Sequence, residues 1–540
     1  MKKISRKKLI LEAVVVIAVT LALVMPSSAV ITESKISSTQ QRALLKSDYR
    51  FVKADSGMGS TSVGTDILAA GDVEDEHTPS IVKDNDGNLW LFYVYDEGVD
   101  SDIYMRKSID DGQTWPSEYV WYLPSDGLQL YPAASIDSFG MLWVAFVDVE
   151  QDTIVFLEGQ DPNVDPTGWA WMQFDPTDSN THDQLASLVT YESGGRTIAA
   201  WGYKLNVVYP PYSVDEAAVV EHNGQGVDQW TYTWDSTWAG KPANYPSLGA
   251  SNDMFFFAFQ YTDDVSGNEI INVRWGDAVV QSDMEAWPTD FGSFETSSSD
   301  NCYKPSIAGS GSNVILVYEK DVGGQKDLMC SYSSNDGDSW THDVIVADDV
   351  ADEENPRVTV VGSEAYCLYI SNDNLYVIKS EDGGATWGDA EQVNDEAGSA
   401  EVMWRTADIS FPYVAFTDNR GDSLDIYFDL AGEPPQIPQL EIGDITGGIG
   451  VSAIVKNTGD AAATDVEWTI TVTGGILGFI NKEITGTISS LAVDSEETIS
   501  TGLIFGLGAI DISVEAKASG SNTATGEATG TQIIIFSMVS

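Results

Sequence analysis

One eight-residue pattern occurs three times in this chain, and it restricts the fold more than any other feature. Ser108-Ile109-Asp110-Asp111-Gly112-Gln113-Thr114-Trp115 reads S-x-D-D-G-x-T-W. Ser380 to Trp387 repeats it, with Asp382 and Gly384 in frame. Ser333 to Trp340 keeps the frame with Asn335 in the first acidic place and Gly337 after it. Each copy follows a short run of strand character, such as Ile103-Tyr104-Met105-Arg106 or Leu375-Tyr376-Val377-Ile378. A strand followed by D-G or G-G is a hairpin signal. The Ser and Asp side chains can bond backbone N–H groups inside such a turn, Gly supplies a positive φ, and the Trp covers the turn. The expected role is structural.

The pattern sits inside a longer repeat. Similar segments begin at Pro79, Pro132, Ala186, Pro246, Pro305, Pro356 and Thr406, at steps of about 50 to 60 residues. A period near 50 with short strands predicts a β-propeller with one four-stranded blade per repeat. In the first repeat the strands are 80–83, 89–95, 102–107 and 118–123. The second strand is a near-continuous apolar run, as expected for a strand covered on both faces. The last repeat stops at Ala431-Gly432 without a fourth strand, and residues 65–69 can supply it. A ring closed this way leaves no open edge. The fold expected over residues 61–432 is therefore all-β with seven blades, six being the alternative count. Residues 433–439 read as a stiff Pro-rich linker. Residues 440–540 carry alternating runs that predict an antiparallel β-sandwich.

Formal net charge is -56, from 27 basic and 83 acidic residues, with 10% aromatics. Those aromatics mark a folded acidic protein rather than a disordered tail, and the charge excludes nucleic acid as a partner. Three cysteines are too few and too odd for a disulfide framework, and the four histidines show no zinc spacing. Residues 1–29 read as a secretory signal peptide, with cleavage after Ala29; retention as an anchor is the alternative. Residues 30–60 are polar and expected to be irregular. The localisation expected is secreted or cell surface, without an integral membrane domain unless the signal segment is kept.

The three boxes resemble the Asp-box, or BNR repeat, of the sialidase superfamily and related secreted propellers. The resemblance covers roughly Ser62 to Leu430. Val455-Lys456-Asn457-Thr458-Gly459 resembles the signature of CARDB-type, Ig-like surface modules. In a propeller of this kind the boxed turns lie on the face away from the binding funnel, so Asp110 and Asp382 are not read as catalytic acids. The loops on the opposite face carry Asp96 and Asp148, and the connections between repeats carry Glu76, His182, Tyr245, Tyr303, Glu353 and Trp404. Of these, Asp96, Asp148, His182, Tyr245, Tyr303 and Trp404 are the candidate ligand-binding residues. Aromatics with carboxylates suit a sugar, and hard oxygen ligands suit calcium, the one cofactor expected.

Resemblance to sialidases implies three arginines that clamp a substrate carboxylate, a Tyr–Glu nucleophile and an Asp acid/base. The R-I-P motif that supplies the first arginine is replaced here by His77-Thr78-Pro79. The remaining candidates are Arg357, Arg405 and Arg420, with Asp422 in the stretch Ala415 to Asp422 that resembles the sialidase "AF-x-x-x-R" segment. They crowd into the last two repeats. The preferred reading is a module that binds extracellular glycan or protein; the alternative is an exo-sialidase-type glycoside hydrolase.

Overall fold

The computed structural model describes residues 45–46, 49–53, 66–124, 127–151, 153–174, 184–193, 196–209, 212–222, 229–234, 243–252, 254–263, 265–277, 291–297, 299–432, 438–459, 461–518 and 523–539. The chain parts into two compact units between Ala431 and Gly432. The signal segment, His182 and residues 433–437 of the linker lie outside the described residues. Strands dominate; the helical turns are Ser117–Tyr119, Pro166–Gly168 and Ile476–Gly478 among the described residues. No helix there is long and apolar enough to cross a membrane.

Among the described residues the first unit contains seven consecutive antiparallel sheets. Their first strands are Asp75–Lys83 (sheet I), Gln129–Ile136 (II), Gln184–Ser193 (III), Ala243–Ser251 (IV), Cys302–Ser310 (V), Glu354–Val361 (VI) and Ala407–Ser410 (VII). Each first strand packs against the first strand of the next sheet, and that of sheet VII packs against that of sheet I. The result is a β-propeller. Second strands such as Leu89–Asp96 and Leu142–Asp148 are buried on both faces, which is why they read as unbroken apolar runs.

The recurring Pro-Ser has a defined task. The Ser247 and Ser306 hydroxyls accept main-chain N–H bonds from Ile307 and Val358 of the following sheet, at 3.1 and 2.9 Å. Ser80 does the same for Ala134 at 3.1 Å. In sheet VII the acceptor is Asp408, bonded by Ile81 N at 3.0 Å. These bonds satisfy inner-strand donors that sheet pairing leaves open at the seams.

Just before that Pro, the pairing between the first and second strands slips, in sheet I between His77 and Ser80 and in sheet VI between Glu354 and Arg357. In sheets I, II, IV, V and VI the bulge carries a left-handed residue: Thr78, Tyr131, Tyr245, Lys304 and Asn355, with φ from 43° to 56°. Arg405, at the same place ahead of sheet VII, has φ 59°. Such conformations are uncommon outside glycine, and bulges re-aim side chains.

The boxed turns are internally bonded as expected. Ser108 Oγ accepts from Gly112 N at 2.9 Å, and Asp110 Oδ1 accepts from Ser108 Oγ and Thr114 N at 2.8 and 2.9 Å. Ser380, Asp382 and Thr386 repeat this set, and Ser333, Asn335 and Ser339 reproduce it with an amide oxygen. The tryptophans do more than cover their own turns. Trp115 is buried against Phe428 of sheet VII, and Trp340 packs on Phe256 and Trp275 of sheet IV. Each box thus fastens its sheet to the preceding one.

Residues 67–70 form the outer strand of sheet VII, pairing with Asp425–Leu430 through Ile67↔Phe428 and Leu68↔Tyr427. Arg106 Nη1 holds the Ala69 carbonyl at 2.8 Å. Within 30–60, the segment expected to be irregular, Leu45–Lys46 and Val52–Lys53 add edge strands to sheets II and I, and Phe51 is buried beside Trp169 and Trp171. Composition could not show this, because two short pairings and one anchor ring make the difference.

The second unit has a three-stranded sheet and a five-stranded sheet whose inward residues form one core, including Val451, Val466, Ile470, Ile510 and Val514. Asn457 is buried and holds its loop: its amide donates to Ala461 O and Leu491 O and accepts from Gly459 N and Gln439 N.

Candidate functional site

The bulges bring distant repeats together at the centre of the ring. The Trp404 ring lies 5.3 Å from Tyr131 and 5.7 Å from Tyr245, centroid to centroid, and all three are half-buried. Trp404, Arg405, Arg357 and Asn355 line a shallow cleft with about 20 Å³ of free space, room for roughly one water.

Arg357 and Arg405 do converge here, but each is engaged. Arg357 Nε donates to Asp408 Oδ1 at 2.8 Å. Arg405 is buried and donates to the Tyr131 and Pro132 carbonyls at 3.2 and 2.5 Å. Burial and the neighbouring Arg357 push its guanidinium down to about 9, still a cation at neutral pH. Burial would raise the Asp408 carboxyl, but the two guanidiniums override it and hold it below its ordinary range. Asn355 is buried on the same cleft, and neither its amide nitrogen nor its amide oxygen has a hydrogen-bond partner.

Arg420 belongs elsewhere. It donates through Nε to Asp418 at 2.7 Å and through Nη2 to Asp418 and Asp66 at 2.7 and 2.6 Å. Its guanidinium also stacks 3.9 Å from the Tyr427 ring centre. Both carboxylates are buried, and Asp66 precedes the closing strand. Arg420 therefore ties Asp418 of sheet VII to Asp66 ahead of the closing strand. Asp422 is exposed and joins no other candidate. The sequence alone could not show which groups would reach these three arginines.

The other ligand-binding candidates scatter. Asp96 sits 3.6 Å from His77 Nε2. Asp148 is buried and accepts from Tyr49 OH and Gln151 N. Tyr303 donates to Asp321 at 3.0 Å with Lys326 over its ring. No group of three or more His, Cys, Asp or Glu among the described residues could hold a metal ion. A second, open cleft of about 500 Å³ lies between the hairpins at 323–325 and 372–373 and is lined by Asp352, Glu354 and Asp373. Its Glu354 is paired with Lys326 at 2.5 Å, and Lys326 also reaches the buried Glu319. Tyr131 was missed from the sequence, although its place directly before Pro132 matches that of Tyr245 before Pro246.

No family model and no curated protein matches this chain. Among solved structures, the "Hadza microbial sialidase Hz136" is 15% identical, with 67% of this chain and 68% of that chain covered and a TM-score of 0.34. A polysaccharide lyase, the PL25 ulvanlyase, is 12% identical over 71% of this chain and 96% of its own, with a TM-score of 0.42. The propeller domain of the Trilobed protease from Pyrococcus furiosus is 7% identical over 69% and 98%, with a TM-score of 0.38. Likenesses this distant carry no argument about activity.

Proposed function

We propose that this chain is a secreted or cell-surface protein whose seven sheets are the blades of an Asp-box propeller that binds extracellular glycan, followed by an Ig-like module of the CARDB type. One observation carries the glycan reading: three aromatic rings, Tyr131, Trp404 and Tyr245, meet beside Arg357 and the unpartnered Asn355 amide at the ring centre. Aromatic platforms with a few convergent polar groups suit the apolar faces and hydroxyls of a sugar. Binding is favoured over hydrolysis because Arg405 and Arg420 are committed to protein groups and the cleft is shallow. The test is a glycan array probed with wild type and Trp404→Ala. The variant should remain folded at the assay temperature and weaken the retained signals about tenfold or more, equivalent to about 1.4 kcal/mol. Retention unchanged by Trp404→Ala rules out the aromatic platform. Release of free sugar by the wild type rules out a purely binding role.

A further inference from the structure

Two seams of the propeller are built from the same ten-residue pattern. Ala70-Gly71-Asp72-Val73-Glu74-Asp75-Glu76-His77-Thr78-Pro79 and Ala347-Asp348-Asp349-Val350-Ala351-Asp352-Glu353-Glu354-Asn355-Pro356 both read A-x-D-V-x-D-E-x-x-P. The structures match bond for bond. Asp75 Oδ1 accepts Leu424 N, and Asp352 Oδ1 accepts Lys326 N, both at 2.9 Å. Glu76 N donates to Leu424 O at 2.7 Å, and Glu353 N donates to Lys326 O at 2.9 Å. Each pattern therefore ties its own sheet to the third strand of the preceding one, I to VII and VI to V.

These bonds bury one glutamate in each seam. Glu76 and Glu353 have no exposed surface, and neither oxygen of either carboxyl is in hydrogen-bonding geometry with any group. Each faces an aspartate on the neighbouring strand, Asp425 for Glu76 and Asp327 for Glu353. Glu76 also faces Asp72, Tyr93, Tyr95 and the Arg106 cation, whereas Glu353 faces Asp348, Asp349 and Tyr369. The Asp72 and Asp349 main chains favour the ionised form slightly. A carboxylate without a well-formed hydrogen bond, out of water and opposite another acid, is among the costliest arrangements in a protein; such a group holds its proton instead.

We infer that the twin segments are proton locks: Glu76 and Glu353 are carried as neutral acids, and losing their protons loosens the VII–I and V–VI seams. Burial first, and then the facing aspartates, push both carboxyls up to about 8. The sign follows from linkage. The folded state keeps protons that the unfolded state releases above its own, lower value. The stabilisation is complete below the unfolded value and is lost as pH rises through about 8. The lock at Glu353 sits beside the 500 Å³ cleft, whose lining includes both its neighbours Asp352 and Glu354, so its opening would reshape that surface.

The test compares wild type with Glu76→Gln/Glu353→Gln, which is permanently neutral and nearly the same shape. Melting temperature is followed from pH 5 to pH 9 in chelator, then again with calcium at constant ionic strength. The wild type should lose stability from pH 5 to about pH 8 and level off above it, while the double variant should fall much less. In the infrared, the wild type at pH 7 should show protonated-carboxyl absorption that the variant lacks. Identical pH profiles, or no such absorption, overturn the proposal. So does calcium that flattens the wild-type profile but not the variant's, since the seams would then hold a cation. Glycan retention is read separately, so the failure of this idea is distinguishable from that of the binding reading.

Discussion

Gly112→Ala isolates how a boxed turn fastens one sheet to the next. Gly112 has φ 84°, and a Cβ there would lie 2.2 Å from both Cε1 and Cζ of Phe428 and 2.9 Å from Cδ1. Phe428 is buried between Trp115 and Tyr413, so its ring has no room to retreat. Two costs add. A left-handed residue with a Cβ costs roughly 1–2 kcal/mol, and forcing extra volume into a packed core costs roughly 1–3 kcal/mol. The expected loss is therefore about 2–5 kcal/mol. Gly98→Ala is the control: its φ is 79° and nothing lies within 4 Å of its Cβ, so only the backbone term applies. Denaturant midpoints of both variants, and of Gly112→Ala in a Phe428→Ala background, separate the terms. With the ring removed, Gly112→Ala should cost no more than Gly98→Ala, a coupling of about 1–3 kcal/mol. Equal costs for Gly112→Ala and Gly98→Ala in the native background, or no coupling to Phe428, would refute the seam argument.

Two further outcomes follow from the same contacts. Arg420→Leu leaves Asp66 and Asp418 buried without their cation and should destabilise the propeller by about 3–5 kcal/mol; a loss below about 1 kcal/mol in chemical denaturation would mean that the closure does not depend on this pin. Trp115→Ala should cost about 3–5 kcal/mol, the range for deleting a buried aromatic. Trp387→Ala should cost clearly less, because Trp387 is only half-buried, and thermal melts showing equal losses would argue against reading these costs from burial.

What the sequence determined by itself was local and periodic. The boxes could be read because Ser108, Asp110, Gly112 and Thr114 bond one another within eight residues, so residue type and spacing carry the whole interaction. The second strands could be read because burial on both faces demands an unbroken apolar run. The missing last strand could be matched to residues 65–69 because a closed ring has no other free edge to fill. The repeated Pro-Ser was visible as a marker, yet its purpose was not, since each Ser hydroxyl accepts from a main chain more than 50 residues away. The arginines show the limit most plainly. Arg357, Arg405 and Arg420 are alike in sequence, and only the tertiary structure assigns Arg420 to Asp66, 354 residues distant, and Arg405 to the carbonyls of Tyr131 and Pro132. The same holds for Glu76 and Glu353, which look like two more of the chain's 83 acidic residues until packing removes their water and every well-formed hydrogen bond. Charge and solvation depend on what surrounds a group in space, and in a ring of repeats the surroundings come from the neighbouring sheet.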